Sequence, residues 1–379
     1  MDGRERLILT LKGETPDRVP VSLFVQEEFL SYMYPGKAVD RVTDAVACAE
    51  HFDFDLMARS RKFEYPHFMR KSFPNWELSL HTVREAGNFY KTFEIQTPLK
   101  KLKQVEAGPD LGDQTGGVHL TTIEYLIKDE SDLEAFIKYA PALDQGTVAE
   151  MVEYCAWAKQ QIGSLGLSVP WTWGGIFNQA STYRDVAELM MDPYINPGFY
   201  VRYMDKLTEL SMEYSRALAR ANGDAVGIQG NIANSAIIGE KFFDQFILPY
   251  EKRLVEAIHQ EGSYTVYHNC GRAEVLQTSY VDMGLTAWET IAAYPQGDND
   301  LQRAKENVGK KLTLIGNLDQ IHFLKTASEA ELVKKVEEML GIGKPGGRYI
   351  FACSDFLEVG TPFDNVITIV QAAKRFGNY

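Results

Sequence analysis

Hydrophobic and polar positions along this chain alternate between two periods, about 3.6 and about 2, in a repeating order. Residues 2–12 place Leu7, Ile8 and Leu11 on one helical face. The turn 13–18 then leads into Val-Pro-Val-Ser-Leu-Phe-Val25, a predicted first strand. A helix from Asp40 to His51 carries Val42, Ala45, Val46 and Ala49 at helical spacing, and the stretch 52–57 follows as a second strand. Residues 60–130 break the rhythm with alternating, β-rich runs at 76–81 and 88–95, a loop over Gly112 to Gly117 and a short strand near His119–Ile123. No flexible linker flanks this stretch, which reads as an inserted excursion within one domain of residues 1–379. Ser131-x-x-Glu134 forms a capping box that predicts a helix start after Asp129.

From there helices predicted at about 147–162, 197–221, 241–260, 272–283 and 299–307 precede strands at 167–173, 224–229, 264–267, 285–288 and 311–315 in interleaved order. The helix 241–260 shows Phe246, Leu254, Val255 and Ile258 as its buried stripe. A last helix, capped by Ser328-x-x-Glu331, precedes the strand 348–352. Eight strands separated by helices predict an α/β fold, a (β/α)8 TIM barrel with an N-terminal helix and a β-rich insertion after its second strand. A doubly wound open sheet fits the same periodicity. Gly341-Ile-Gly343-Lys-Pro-Gly346 matches GxGxxG, but it follows a helix and precedes a strand, the reverse of the dinucleotide-binding order.

Composition narrows the class. A net charge of −13, with no long basic run, argues against a nucleic-acid partner. Four cysteines (Cys48, Cys155, Cys270, Cys353) are too few for a disulfide framework. The start of the chain lacks the apolar core of a signal peptide, and no apolar run is long enough to span a membrane. The expected location is the cytoplasm.

The chemistry gathers at strand ends. His268 and Cys270 end the fifth strand, and Cys353 ends the eighth, 353 − 270 = 83 positions later. One imidazole and two thiolates suit Zn²⁺ with a fourth position open, whereas structural zinc sites more often use two close pairs of ligands. His and Cys two apart also arise by chance, with the sulfur as a small core hydrophobe. The barrel count decides for the metal, because active sites lie at the C-terminal ends of barrel strands. Glu289 ends the sixth strand as a fourth ligand, or as an acid behind a ligand; an ordinary solvated carboxylate is the plain alternative. Asp319 and Asp355 are candidates to orient His268 through its other nitrogen, Asp355 equally a helix cap. Gln229, Asn231 and Asn317 follow neighbouring strands as candidate substrate contacts. Trp171, Trp173 and Phe177 are candidate walls for a planar ring, or packing at the strand ends.

Several segments together carry a resemblance: Gly13-Glu-Thr-Pro-Asp17-Arg18-Val-Pro20, Gln-Thr97-Pro98, Leu-Pro249-Tyr250-Glu-Lys, His268-Asn-Cys270-Gly271, Gly316-Asn317-Leu-Asp319 and Thr361-Pro362-Phe-Asp-Asn365. In this order, nearly end to end, the sequence resembles the uroporphyrinogen decarboxylase superfamily, and within it the zinc-dependent, corrinoid-linked methyltransferases. The decarboxylase carries a cationic clamp for porphyrin carboxylates after its first strand, where this chain has Leu-Phe-Val-Gln-Glu-Glu-Phe-Leu. Acids there are the wrong electrostatics for a polyanionic substrate.

The resemblance implies Zn²⁺ on His268, Cys270 and Cys353, and a methyl group moved between a small substrate and the cobalt of a corrinoid (cobalamin) carried by a partner protein that docks at the barrel mouth. The aromatic residues turn the expectation towards O-demethylation of a methoxylated aromatic. A methylcorrinoid:thiol methyltransferase of the coenzyme M type is the alternative within the family. A zinc-free lyase and a non-catalytic barrel with structural zinc are the alternatives outside it.

Overall fold

A computed structural model of the chain describes residues 1–110 and 120–379. The loop expected over Gly112 to Gly117 lies outside the described residues, as does the His119 end of the strand expected after it. Helix α1 (Gly3–Lys12) begins with a capping box in which Asp2 accepts from the Glu5 amide at 2.8 Å. It ends where Gly13 takes φ 84°, the left-handed conformation that lets the chain turn back.

Among the described residues, two parallel sheets and one antiparallel sheet follow. β1 (Leu56–Ala58) pairs with β6 (Gly166–Ser168), and β7 (Ala225–Gln229), β8 (Tyr264–His268), β9 (Ala287–Thr290), β10 (Thr313–Leu318) and β11 (Tyr349–Cys353) lie side by side in chain order. Within 60–130, β2 (Glu77–Glu85), β3 (Asn88–Gln96), β4 (Lys101–Pro109) and β5 (Thr121–Glu124) form the antiparallel sheet.

The first expected strand is an extended segment joined to β11 by a single bridge, whereas the third begins as β6, laddered to β1, and reaches β7 through a single bridge. Pro20 and Pro170 each lack an N–H, so neither segment can sustain a two-sided ladder. Val21 pairs with Phe351 of β11, and its carbonyl accepts from the Asp55 amide at 2.7 Å. Trp171 pairs with Gly227 of β7.

Side-chain alternation splits the interior in two. Met57, Leu167, Ala225, Val266, Ala287, Ile315, Ile350 and Ala352 form a small cluster with Leu7 and Leu11 of α1. Their neighbours one position along each strand face the helices and join the main core. α1 packs where the strands begin. Its Arg6, 5% exposed, pairs with Asp17 at 2.7 Å and Asp55 at 2.6 Å, and Arg18 reaches the same Asp55 at 2.9 Å. The Arg6 guanidinium holds the Asp17 carboxyl down to about 2.

Local differences from the sequence reading have physical causes. The helix Glu130–Tyr139 is capped by Asp129, which accepts from the Asp132 amide at 2.9 Å, and Ser131 donates its hydroxyl to Asp129 instead of forming the expected capping box. The helix expected at 241–260 contains a π turn, Phe243–Ile247, before Leu248–His259. The extra residue rotates the face, so Phe242, Phe243 and Ile247 are buried and Phe246 is only half-buried. Short helices at Glu27–Met33, Ile176–Tyr183 and Val186–Ile195 fill what read as connections. Among the described residues no helix is long and apolar enough to cross a membrane.

One buried acid ties two of these helices together. Glu251, fully buried on Leu248–His259, accepts from the Phe177 amide at 3.2 Å at the start of Ile176–Tyr183. A Cβ on Gly175 would lie 2.5 Å from its Oε1, so glycine permits the approach. Burial raises the Glu251 carboxyl to about 7. The folded protein therefore binds this proton more tightly than the unfolded chain does. The stabilisation is complete below the ordinary value of 4.5 and is lost as pH rises through about 7. Stability relative to Glu251→Gln is expected to fall by up to about 3 kcal/mol between these limits. Denaturant unfolding of both proteins at pH 5 and pH 8 checks it; parallel curves would disprove the buried-acid account.

Candidate metal centre

β8 reaches the site through its alternation: Val266 packs into the inner cluster, and His268 two positions on faces the same way. Register sets His268 opposite Gln229 on one side and Glu289 on the other. His268 Nδ1 lies 3.0 Å from Glu289 Oε1. A carboxylate oxygen can only accept, so Nδ1 carries the proton and Nε2 keeps its lone pair. Nε2 points towards Asp355 Oδ1, 3.7 Å away. His268, Cys270 and Asp355 each place a ligand atom within 4.8 Å of the others, a grouping able to hold a metal ion.

The surroundings strip this group of charge. Burial, aided by the Arg59 guanidinium, pushes the His268 imidazole down to about 3, which leaves it neutral. Burial and then the Asp355 charge raise the Cys270 thiol to about 12, and burial raises the Asp355 carboxyl to about 6. Neutral imidazole, thiol and a carboxyl raised by burial are donors that a divalent cation would draw towards their coordinating forms. The donor set fits a zinc-type ion.

Cys353, 3% exposed, lines the same cavity as Asp355 but is not within that grouping. Alternation along β11 explains this: Ile350 and Ala352 face the inner cluster, and Cys353 falls in step with Tyr349 and Phe351 towards the main core. Burial, followed by the Asp319 and Asp355 charges, pushes its thiol well above the ordinary range.

Behind His268 stands Glu289, 4% exposed, whose Oε2 is paired with Arg59 Nη2. Glu289 thus stands as an acid behind a ligand, one of the two roles expected of it, on the imidazole nitrogen that Asp319 or Asp355 was expected to hold. Asp319 instead accepts from the amides of Ile321 and His322 and from Gln296 Nε2 at 2.8 Å, and so fixes the turn after β10. Asp355 faces the other imidazole nitrogen, and its Oδ1 accepts from the Phe356 amide at 2.8 Å.

The aromatic candidates separate. Trp171 meets His268 edge-on at 5.8 Å between ring centroids and Phe24 at 6.2 Å. Its place depends on Gly227, where a Cβ would lie 2.6 Å from the indole Cε3. Trp173 does not line the site: after it Gly174 turns the chain with φ 112°, and the ring stacks on Tyr214 at 4.2 Å. Phe177 is fully buried against Phe242, so it is core. Gln229, the last residue of β7, and Asn231 just beyond it are half-buried, and among the described residues the Asn231 Oδ1 has no partner. Asn317, half-buried on β10, accepts through its carbonyl from Ser354 Oγ at 3.0 Å.

Arg59 and Phe24 are site residues that sequence reading missed. The signal was there, since Arg59 stands just past the end of a strand, where the barrel rule looks for function.

Comparison with known proteins agrees with this architecture. The family described as Uroporphyrinogen decarboxylase (URO-D) matches residues 113–376. The chain is 22% identical to a methylcobamide:CoM methyltransferase of Methanosarcina acetivorans, over 98% of both chains. A uroporphyrinogen decarboxylase of Geobacter metallireducens is 25% identical over 51% of this chain and 54% of its own. A solved methyltransferase from Methanosarcina mazei shares the fold, with a TM-score of 0.69, 19% identity and 99% of each chain covered.

The buried pair makes a testable statement about stability. Glu289→Gln leaves the Arg59 charge without its counter-charge and is expected to cost about 3–5 kcal/mol. Adding Arg59→Met is expected to recover most of that loss. Urea unfolding of the two single variants and the double variant measures it, and simple additivity would show that the pair is not coupled.

Proposed function

This chain belongs to the uroporphyrinogen decarboxylase family, and from that premise we propose that it is a zinc-dependent methyltransferase working with a corrinoid protein. Likeness over 98% of both chains to a methylcobamide:CoM methyltransferase, against about half of each chain for a decarboxylase, supports the methyltransferase side of the family. The single observation that carries the reading is His268, its Nδ1–H held by Glu289 and its free Nε2 turned towards Cys270 and Asp355. A decarboxylase that works without a metal has no use for that arrangement.

In this reading residues 1–379 form one domain, and the eight strand segments close as a (β/α)8 barrel. The links Val21–Phe351, Asp55–Val21, β1–β6 and Trp171–Gly227 support closure, since each joins consecutive members of one ring. His268, Cys270 and Cys353 would hold the ion, with Asp355 in reach of the same place. Zinc there would supply a Lewis acid that favours the deprotonated form of a substrate oxygen or sulfur.

The chain's own residues do the rest. Glu289 keeps the imidazole in one tautomer and orientation, and Arg59 supplies the counter-charge for Glu289 in a buried place. Phe24 and Trp171, both 7% exposed, shield the reacting atoms from water and offer apolar faces to a methoxylated ring. O-demethylation of a methoxylated aromatic, with the methyl group passing to the cobalt of a corrinoid protein at the C-terminal ends of the strands, is the reaction proposed. Transfer to a thiol of the coenzyme M kind is the second reading, favoured by the named activity of the Methanosarcina acetivorans relative.

Metal analysis and a visible-absorbance assay of cob(I)alamin methylation, run with methoxyarenes, methanol and methylamines, test the proposal. One zinc per chain and turnover with a methoxyarene are expected. Cys353→Ser is expected to lose zinc and at least about 100-fold in turnover while keeping its circular dichroism; Asp355→Asn should keep the metal. Full turnover in Cys353→Ser would refute the assignment of that sulfur, and zinc-free wild-type protein would refute the metal.

A further inference from the structure

An apolar surface stays open to solvent where three helices meet, and none of its residues belongs to the metal centre. The helix Val186–Ile195 ends in Tyr194 and Ile195, 66% and 68% exposed, with Met191 one turn before Ile195 and 54% exposed. Beside them is an open groove of about 230 Å³, lined chiefly by Pro193, Pro197, Tyr200, Val201, Phe246 and Tyr250. Tyr194 stands at its edge, with its ring 5.4 Å from that of Phe246 between centroids. The Tyr200 hydroxyl donates to the Phe246 carbonyl at 2.7 Å and ties two walls of the groove together. The corner that carries Tyr194 and Ile195 is fixed from within. Buried Arg184 donates to both oxygens of Asp192, from Nε at 2.5 Å and from Nη2 at 2.8 Å, and so holds the last turn of Val186–Ile195. Asn196 then caps the helix Pro197–Asn222, accepting from the Phe199 amide at 3.3 Å. Single exposed apolar side chains are ordinary, but a rigid group of them beside an apolar groove marks an interaction surface.

We infer that this surface joins two copies of the chain across a two-fold axis, with the Tyr194–Ile195 projection of each copy entering the groove of the other. An interface of this kind must be complementary to itself, so one patch needs both a projecting and a receiving part. Both are present here, side by side. The charges around the patch meet the same requirement. Val201 is followed by Arg202, which pairs with Glu130, and one turn on Asp205 pairs with Arg253 at 2.6 Å. All four side chains are about half exposed. A rim that carries both signs can set cation against carboxylate when it meets its own copy, whereas a partner of one dominant sign would meet like charge along part of it. Because the corner is already rigid, association spends little on ordering it, and a projecting tyrosine is the kind of side chain that anchors interfaces. The inference is independent of the proposed reaction.

Sedimentation velocity with the full chain over a range of concentrations tests this. The wild type is expected to run as a dimer at about 10 µM, since specific interfaces of ordinary size give micromolar or tighter dissociation constants. Ile195→Glu changes the projection and Val201→Glu the groove. Each is expected to weaken the dimer at least about 30-fold, the scale of an anchor residue. Both positions are open to solvent, so circular dichroism and the thermal midpoint should stay as in the wild type. Leu80→Glu, at an equally open apolar position on β2, should leave the dimer unchanged. A wild type that stays monomeric up to about 100 µM overturns the inference, whatever other molecule the patch then serves, and this measurement needs no variant. A dimer that persists in either glutamate variant also overturns it, because the two copies would then meet elsewhere.

Discussion

One carboxylate organises this protein's chemistry. Glu289 is buried on β9, and its two oxygens serve the neighbouring β8 and the end of β1 in another sheet: Oε1 takes the proton side of His268, and Oε2 takes Arg59. Three ionisable groups from β8, β9 and the end of β1 are thereby locked in a place where none could stay alone. The lock determines which imidazole nitrogen is free and where it points. The metal reading descends from this one arrangement.

The same arrangement explains which parts of the fold were legible in the sequence. β7 to β11 are short, apolar and bounded by helices, so period and order were enough to find them. The first segment, with Pro20, has only a single bridge to β11, and the third, laddered to β1 as β6, is cut to a single bridge with β7 beyond Pro170. The stripe on the helix 241–260 was misread at Phe246, since a π turn is invisible to a period of 3.6. At Ser131 two capping signals competed, and the Asp129 carboxylate two residues earlier capped the helix, taking the Asp132 amide and the Ser131 hydroxyl. Such outcomes turn on a single residue's geometry, which composition does not carry.

The site was legible where strand parity and strand ends coincide. His268, Glu289 and the neighbourhood of Asp355 follow from the rule that function sits at the C-terminal ends of strands. Cys353 is one step out of phase with Ile350 and Ala352, yet it lines the same cavity as Asp355 two positions on. Trp171 and Trp173 have identical parity in sequence, yet Gly174 bends the chain and sends the second indole to Tyr214. Arg59 escaped notice because it falls between a strand that reads as ending at Met57 and an insertion that reads as beginning at residue 60. A long-range partner such as Glu289, 230 positions away, has no local signature.

The contact between Trp171 and Gly227 reaches beyond this one molecule. With the missing Cβ accounted for at 2.6 Å from the indole, the two positions share a fixed volume across adjacent strands. Evolution cannot enlarge one without shrinking the other. Among descendants of the same ancestor the pair should drift in tandem, an indole opposite a bare backbone or a slighter ring opposite a methyl. A lineage that exchanged them would reshape the wall beside the imidazole, and with it the range of molecules admitted, while every donor atom stayed in place.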